Sequence, residues 1–508
     1  MPAFVLSNLL SKIDYNQVFN YYEDIHINGI SFDSRRVKNN SIFIAIRGEK
    51  HDGSEYIDEA LENGAAAVIA EKTPEPGSSV PWIHVPDSKL ALAQAAAEFY
   101  GYPSRDMLLM GVTGTSGKTT VTSMLEKIYE TAGFSSGLIG TVNVKYKDQG
   151  WPAALTTPDA LELQRILRLM VDSGVTHAAM EVSSHSLDQK RVDGINFKGA
   201  IFTNISSDHL NYHQELNNYV MTKKRLSTLV EKRGFVLSNG EDPFFKDITA
   251  PQGIPLFIYG TDPSHDFYIS KITSLGQKGS EFELKIQNEE LLGKLYPSRA
   301  RYQFRLCLLG RHNVFNAAAA AAAALITGIP SSIIFQGLAD FGGVERRMQL
   351  YELGPLRVID DKAMNPGGID ALFQTMEELD ILNSPIIVVY AIRGGRGHRV
   401  NEDNGRTLSR WLKLFNIKEF ISTSSTGNVE KKDEVQLEEE EAFFRGTGSI
   451  GLLPVHFKEL PEALNRALKA AEPGAVLLLL GSKGMDEGLN ILKKKLKEEN
   501  LLSGIIYS

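Results

Sequence analysis

The chain has 508 residues, 43% hydrophobic and 23% charged, with a net charge of -8. That length exceeds one hydrophobic core, so several domains are expected. The acidic balance argues against a general nucleic-acid binder. One cysteine, Cys307, excludes an internal disulfide and suits a reducing, cytoplasmic setting. The first residues lack a basic segment followed by a cleavage site, and no apolar run is long enough to cross a bilayer.

Along the chain, short apolar runs alternate with longer helical patterns. AAAVIAE, LLMGVTG, HAAMEVSS, GAIFTNIS, PIIVVYA and AVLLLLG read as buried strands. Continuous apolar runs between amphipathic helices predict parallel sheets with helical crossovers, an α/β architecture. Tyr100-Gly-Tyr-Pro-Ser-Arg-Asp106 breaks a helical pattern and marks a first boundary. Phe341-Gly-Gly-Val344 marks a second, after a helix carrying eight consecutive alanines, Ala317 to Ala324, whose expected role is close packing. The expected domains are 1–104, 105–343 and 344–508. The acidic run Glu438 to Glu441 and the basic run Lys493 to Lys495 read as solvated faces.

Between strand Leu108-Leu-Met110 and helix Val121-Thr-Ser-Met-Leu-Glu126 lies GVTGTSGKTT. Gly114 and Gly117 leave room for a backbone that wraps a phosphate, and Thr115 and Ser116 fill the turn between them. Lys118 brings charge to the terminal phosphates, and Thr119 or Thr120 offers a hydroxyl to Mg²⁺. The common phosphate loop has a glycine where this chain has Val112. Farther on, Glu181 ends the run HAAME and His209 follows the run GAIFTNIS. Both fall at C-terminal strand ends, the edge where the phosphate loop also lies, so both are candidate ligands of a divalent cation. A lone histidine is more often a hydrogen-bonded structural residue; the loop and Glu181 together favour the ligand reading.

These stretches resemble the Mur ligase family, ATP-dependent enzymes that build the peptidoglycan stem peptide, and within it the branch that adds the third stem residue. Gly114-Thr-Ser-Gly-Lys-Thr119 matches the family's G-T-x-G-K-[ST] loop, which accounts for the spacing. Glu181-Val-Ser-Ser-His185 with Arg191, Thr203-Asn204, Asp208-His209-Leu-Asn-Tyr-His213 and Tyr219-Val-Met-Thr-Lys223 match further elements. Thr156-Thr-Pro-Asp159 resembles the substrate loop, Leu309-Gly-Arg-His-Asn-Val-Phe-Asn316 the adenine-side helix start, and Ile30-Ser-Phe-Asp-Ser-Arg35 the UDP-binding domain.

The resemblance implies a central phosphate-loop ATPase domain with a parallel sheet, flanked by an N-terminal UDP-binding α/β domain and a C-terminal Rossmann-like α/β domain. It implies ATP and two Mg²⁺ ions, with Thr119, Glu181, His209 and a carbamylated Lys223 as metal ligands. The nucleotide would contact residues 114–120, Asn204, His312, Asn313, Asn316, Asp361 and Arg346 or Arg347, of which Arg347 is the assignment. The acceptor would contact Ser34, Arg35, Thr156, Thr157, Pro158, Asp159, Ser183, Ser184 and Arg191. Lys118, Lys223, His185 and Arg191 would carry the chemistry. The implied substrates are a UDP-linked acceptor and an amino acid, handled by a monomer.

The third domain departs from the family pattern. D-Y-A-H-[TN]-P appears as Asp361-Lys-Ala-Met-Asn-Pro366, and G-G-D-R-D as Gly394-Gly-Arg-Gly397. No D-N-P-R, whose arginine in the family reads the amino-acid substrate, follows Thr423-Ser424, where Ser425-Thr-Gly-Asn428 stands instead, and K-G-H-E has become Lys483-Gly-Met-Asp486. Two alternatives follow: the same chemistry on an acid outside peptidoglycan, as in cyanophycin-type ligases, or a homologue that binds the precursor or a partner without forming a bond.

Overall fold

The computed structural model describes residues 4–21, 23–48, 51–206, 210–213, 215–245, 248–288, 301–379, 381 and 384–498, with only the backbone described at 210 and 211. Three large sheets follow one another along the chain. The first has five strands in the spatial order Gln17–Phe19, Trp82–His84, Ala65–Ala70, Ser41–Ile44, Gly29–Ser31, parallel except for its first member.

The second sheet has eleven strands. At its centre Leu108–Thr113 lies between His177–Glu181 and Phe197–Phe202, all parallel. Helices cover both faces, which is why the central stretches of these strands are continuously apolar rather than alternating. An antiparallel run, Phe267–Ser274, Ser280–Ile286 and Arg301–Leu306, extends one edge. The alanine-rich helix Arg311–Ile326 packs on this sheet with Ala317 through Ala324 all at 0% exposure, as the expected close packing requires.

The third sheet runs Gln349–Leu353, Leu356–Asp361, Val476–Leu480, Ile386–Ala391, Ile417–Thr423, Val455–Phe457, parallel after its first pair. Each of the six apolar runs in the sequence forms a strand. The acidic run differs from its reading as a solvated face: Glu439 is 4% exposed. It is the third residue of helix Leu437–Gly448 and closes a capping box with Gln436.

Among the described residues, no helix is long and apolar enough to cross a membrane.

Candidate active site

The phosphate loop leaves strand Leu108–Thr113 and enters helix Lys118–Thr131. Val112 is a buried strand residue, so the turn begins two positions after it. Gly114 and Gly117 have φ of +150° and +86°. A Cβ at Gly114 would run into Thr203 Oγ1, and one at Gly117 into Asn316 Oδ1.

The neighbouring strand end shapes the loop. Thr203 Oγ1 donates to Ser116 O (2.6 Å), the Asn204 side chain accepts from Ser116 N (3.0 Å) and donates to Ser116 O (3.1 Å), and Thr115 N donates to Asn204 O (2.7 Å). Thr115 Oγ1 lies 3.0 Å from the Tyr219 hydroxyl. Thr119 and Thr120 are buried in the first helical turn.

Two ammonium groups meet one carbonyl. Lys118 Nζ donates to Gly114 O (2.9 Å) and Thr115 O (3.0 Å), and Lys223 Nζ donates to Gly114 O (2.8 Å). Lys223 is 1% exposed, with Nζ 4.6 Å from the Tyr219 ring centroid. Two cations this close to a turn of backbone N–H groups favour an anion between them.

Glu181 pairs in register with Val112 of the adjacent strand, which sets its carboxylate beside the loop. It accepts from Thr141 N (2.6 Å) and Thr141 Oγ1 (3.0 Å) and, with Thr119, lines one cavity of about 290 Å³. A carboxylate and a hydroxyl on one cavity are hard oxygen donors that suit Mg²⁺. His209 lies outside the described residues.

Of the expected acceptor residues, Ser34, Arg35, Asp159 and Arg191 line a second, larger cavity of about 900 Å³, and Thr156, Thr157, Pro158, Ser183 and Ser184 are not among its lining residues. Ser34 Oγ donates to Glu59 (2.6 Å), and Arg35 pairs with Asp33 through two bonds of 2.9 Å. Asp159 caps helix Ala160–Asp172 by accepting from Glu162 N, so it has a structural task as well. Thr156 and Thr157 tie this loop to the metal side: Thr141 Oγ1 donates to Thr156 Oγ1 (3.1 Å), and Thr157 Oγ1 donates to Glu181 O (2.8 Å). Pro158 and Ser184 are buried, and Ser183 caps helix Ser184–Asp188. Arg191 donates to Thr157 O (3.0 Å) and to Gln189. Phe32 and Tyr56 also line this cavity, at 37% and 39% exposure. Sequence reading missed both; an aromatic inside the ISFDSR stretch was the available signal for Phe32.

Burial holds the His185 imidazole down to about 4, and the charges of Arg396, His213, Arg191 and Lys223 add to that. The ring is therefore neutral near pH 7, set against Tyr212 with centroids 4.2 Å apart.

On the nucleotide side, Asn313 Nδ2 donates to Leu309 O (2.8 Å) and Asn316 Nδ2 to Asn313 Oδ1 (3.1 Å), which fixes the helix start against Gly117. His312 is pushed down by burial, opposed by the Asp361 carboxylate and reinforced by Arg347, so these three expected residues share one electrostatic neighbourhood. Asp361 accepts from Met348 N (2.7 Å) and Ala363 N (2.6 Å). Arg346 is engaged elsewhere: it donates to Asp360 (3.0 Å), Asp486 (2.5 Å) and the Gly481 carbonyl (2.6 Å). Burial nevertheless raises Asp360 to about 6, outweighing the Arg346 guanidinium.

Three family profiles match the chain: "Mur ligase family, catalytic domain" over 26–100, "Mur ligase middle domain" over 112–324 and "Mur ligase, glutamate ligase domain" over 346–483. The chain is 31% identical over 483 residues to a protein of Oceanobacillus iheyensis, covering 94% of this chain and 93% of the relative. It is 32% identical over 482 residues to one of Halalkalibacterium halodurans, with the same coverage. Both are named UDP-N-acetylmuramoyl-L-alanyl-D-glutamate--2,6-diaminopimelate ligase. A solved structure of a ligase of that name superposes with a TM-score of 0.64 at 22% identity, over 94% of this chain and 96% of that one. MurF of Thermotoga maritima in complex with ADP superposes with a TM-score of 0.64 at 18% identity, over 92% of this chain and 98% of that one.

Proposed function

The chain belongs to the Mur ligase family, and on that premise we propose that it is an ATP-dependent, ADP-forming ligase that joins an amino acid to a UDP-N-acetylmuramoyl-peptide-like acceptor. The observation that carries this reading is the convergence of Lys118 and Lys223 on the Gly114 carbonyl, beside the cavity that Thr119 and Glu181 line. We divide the work among residues 1–104 for the acceptor, 105–343 for ATP and 344–508 for the amino acid.

In the reaction, a carboxylate oxygen of the acceptor attacks the γ-phosphorus, the bond to the β-phosphate oxygen breaks and ADP leaves. The amine then attacks the acyl carbon of the acyl phosphate. The tetrahedral intermediate collapses to an amide, and phosphate departs. Lys118 and the backbone N–H groups of the loop offset charge on the transferring phosphoryl group. Arg191, which lines the acceptor cavity, and neutral His185 orient the acyl group. Mg²⁺, when bound beside Thr119 and Glu181, neutralises phosphate charge. Carbamylation of Lys223 replaces a buried cation with an anion able to serve as a metal ligand.

The altered third-domain motifs favour a second reading, the same chemistry on an acid outside peptidoglycan. One experiment tests both: ADP release with UDP-N-acetylmuramoyl-dipeptide present, screened across single amino acids. Release that depends on both acceptor and amino acid supports the first reading. Release that ignores this acceptor supports the second.

A further inference from the structure

His213 ends the short helix Leu210–His213, just before helix Leu216–Lys224, which carries Lys223 near its end. Its backbone is held from the start of that second helix: Glu215 N donates to His213 O (2.7 Å), and Asn218 Nδ2 donates to the same oxygen (3.4 Å). The residue is 6% exposed. Its ring packs against those of Tyr212, Tyr219 and His185, with centroids 4.8, 5.2 and 5.8 Å away. Nε2 is buried and has no hydrogen-bond partner among the described residues. Leaving a buried polar nitrogen unpaired is costly, so this group points to a partner beyond the unmodified side chains.

Lys223 rests on the same aromatic ring. Its Nζ stands 4.6 Å from the Tyr219 ring centroid, and its charge is felt at His213. The Tyr219 hydroxyl lies 3.0 Å from Thr115 Oγ1, which fixes the ring that both groups touch. Burial lowers the His213 imidazole; the Asp188 carboxylate opposes this and Lys223 adds to it. The ring is therefore neutral near pH 7 and carries one N–H.

Carbamylation turns this neighbourhood into one that holds an anion. The deprotonated Lys223 amine attacks the carbon of CO₂, an N–C bond forms, one C=O electron pair moves onto oxygen, and a proton leaves the nitrogen for water. By ordinary amide bond lengths the two new oxygens stand about 2 Å beyond Nζ. A buried anion is stable only where donors meet it. We propose that His213, as its Nε2–H tautomer, donates to one carbamate oxygen of Lys223 and is the positioning residue that holds that group beside the phosphate loop. The proposal rests on the carbamylation reading. It leaves the second oxygen for the cation and Lys118 for the phosphates.

The test reads the carbamate itself. The unsubstituted protein and its variants are equilibrated with carbon-13 bicarbonate, Mg²⁺ and a non-hydrolysable ATP analogue, and the carbamate resonance is followed by NMR as bicarbonate is raised. Lys223→Ala, which has no amine to modify, identifies the resonance. His213→Phe keeps a ring against Tyr219 and removes the N–H. The bicarbonate needed for half occupancy should rise about tenfold, the scale of one hydrogen bond to a charged group. His213→Gln, whose amide nitrogen reaches the place of Nε2, should recover part of the loss. His213→Asn, whose shorter amide reaches only the place of Nδ1, should not. Half occupancy at the same bicarbonate in His213→Phe and the unsubstituted protein overturns the proposal. If His213→Phe does not fold, the two amides decide: tighter carbamate formation in His213→Gln than in His213→Asn supports the Nε2 contact, and equal formation in both overturns it. An unsubstituted protein with no Lys223 carbamate at any bicarbonate concentration defeats the carbamylation reading, and this proposal with it.

Discussion

Lys118 and Lys223 present two ammonium groups to one carbonyl, an arrangement that becomes favourable once an anion or a modification balances it. Lys118→Ala should therefore lower ATP turnover about a hundredfold or more, as loss of such an electrostatic group does, while the circular dichroism stays that of the folded protein. Near-normal turnover would remove the phosphate-loop assignment. Lys223→Ala should lose activity, with partial recovery on addition of short carboxylates such as acetate, which supply the missing anion. A variant that keeps its kcat would show that no carbamate is used. His185 yields a pH prediction with a definite sign. Its folded value, about 4, lies below the ordinary 6.5, so the unfolded chain binds the proton more readily between these values. Stability is then lost as pH falls from 6.5 toward 4. His177, His213, His312 and His456 are lowered too and contribute in the same direction. Thermal midpoints measured across this window should fall less steeply for His185→Gln than for the unsubstituted protein; parallel curves would contradict the assignment.

At the scale of elements, the strands were legible because parallel strands covered on both faces must be apolar throughout. Their order was not: Leu108–Thr113 pairs with strands that begin about 69 and 89 residues later, and no local pattern encodes that. The phosphate loop was legible for the same local reason as the strands, since glycine spacing and a lysine suffice to mark it. Glu439 was misread because charge patterning cannot reveal a partner that is backbone more than 40 residues away. Asp159 was read for substrate alone, although a carboxylate three residues before Glu162 N is equally an N-cap. The loop geometry supports a paired test. Gly114→Ala introduces a Cβ into Thr203 Oγ1 and should weaken binding of a non-hydrolysable ATP analogue measured by calorimetry. Gly133→Ala, at φ +79° with nothing within 4 Å of its Cβ, should cost about 1 kcal/mol of stability and leave that binding unchanged. Equal nucleotide affinity in both variants would mean that the Gly114 turn does not shape the phosphate site.

Across the whole molecule, most residues expected for ATP and acceptor lie before Gly343, with Arg347 and Asp361 the exceptions, whereas the motifs that depart from the family pattern lie after it, in the part proposed to take the amino acid. Ser425 occupies a buried left-handed position (φ +52°) after Ser424, whose hydroxyl donates to Glu440 (2.7 Å). Asn428, where a clamp arginine would be expected, makes a 3.5 Å contact to Thr426 O. Asp486, in the place of the K-G-H-E glutamate, is engaged by Arg346 at 2.5 Å. The stretch where the family's D-N-P-R arginine would grip a carboxylate of the amino acid carries no guanidinium here, since Asn428 stands at its end. We therefore predict that meso-diaminopimelate is a poor substrate, even though the curated relatives carry that compound in their names. A lost bidentate guanidinium–carboxylate pair costs a few kcal/mol when desolvated, and each ~1.4 kcal/mol is about tenfold. The kcat/KM for meso-diaminopimelate should thus lie about tenfold or more below that of the best monocarboxylic amino acid, with ATP and UDP-N-acetylmuramoyl-dipeptide held saturating. A kcat/KM for meso-diaminopimelate above all others would refute this. It would then require a carboxylate clamp built from third-domain cations, with Lys362 and Lys483, both felt within one electrostatic neighbourhood beside Asp486, the first to substitute.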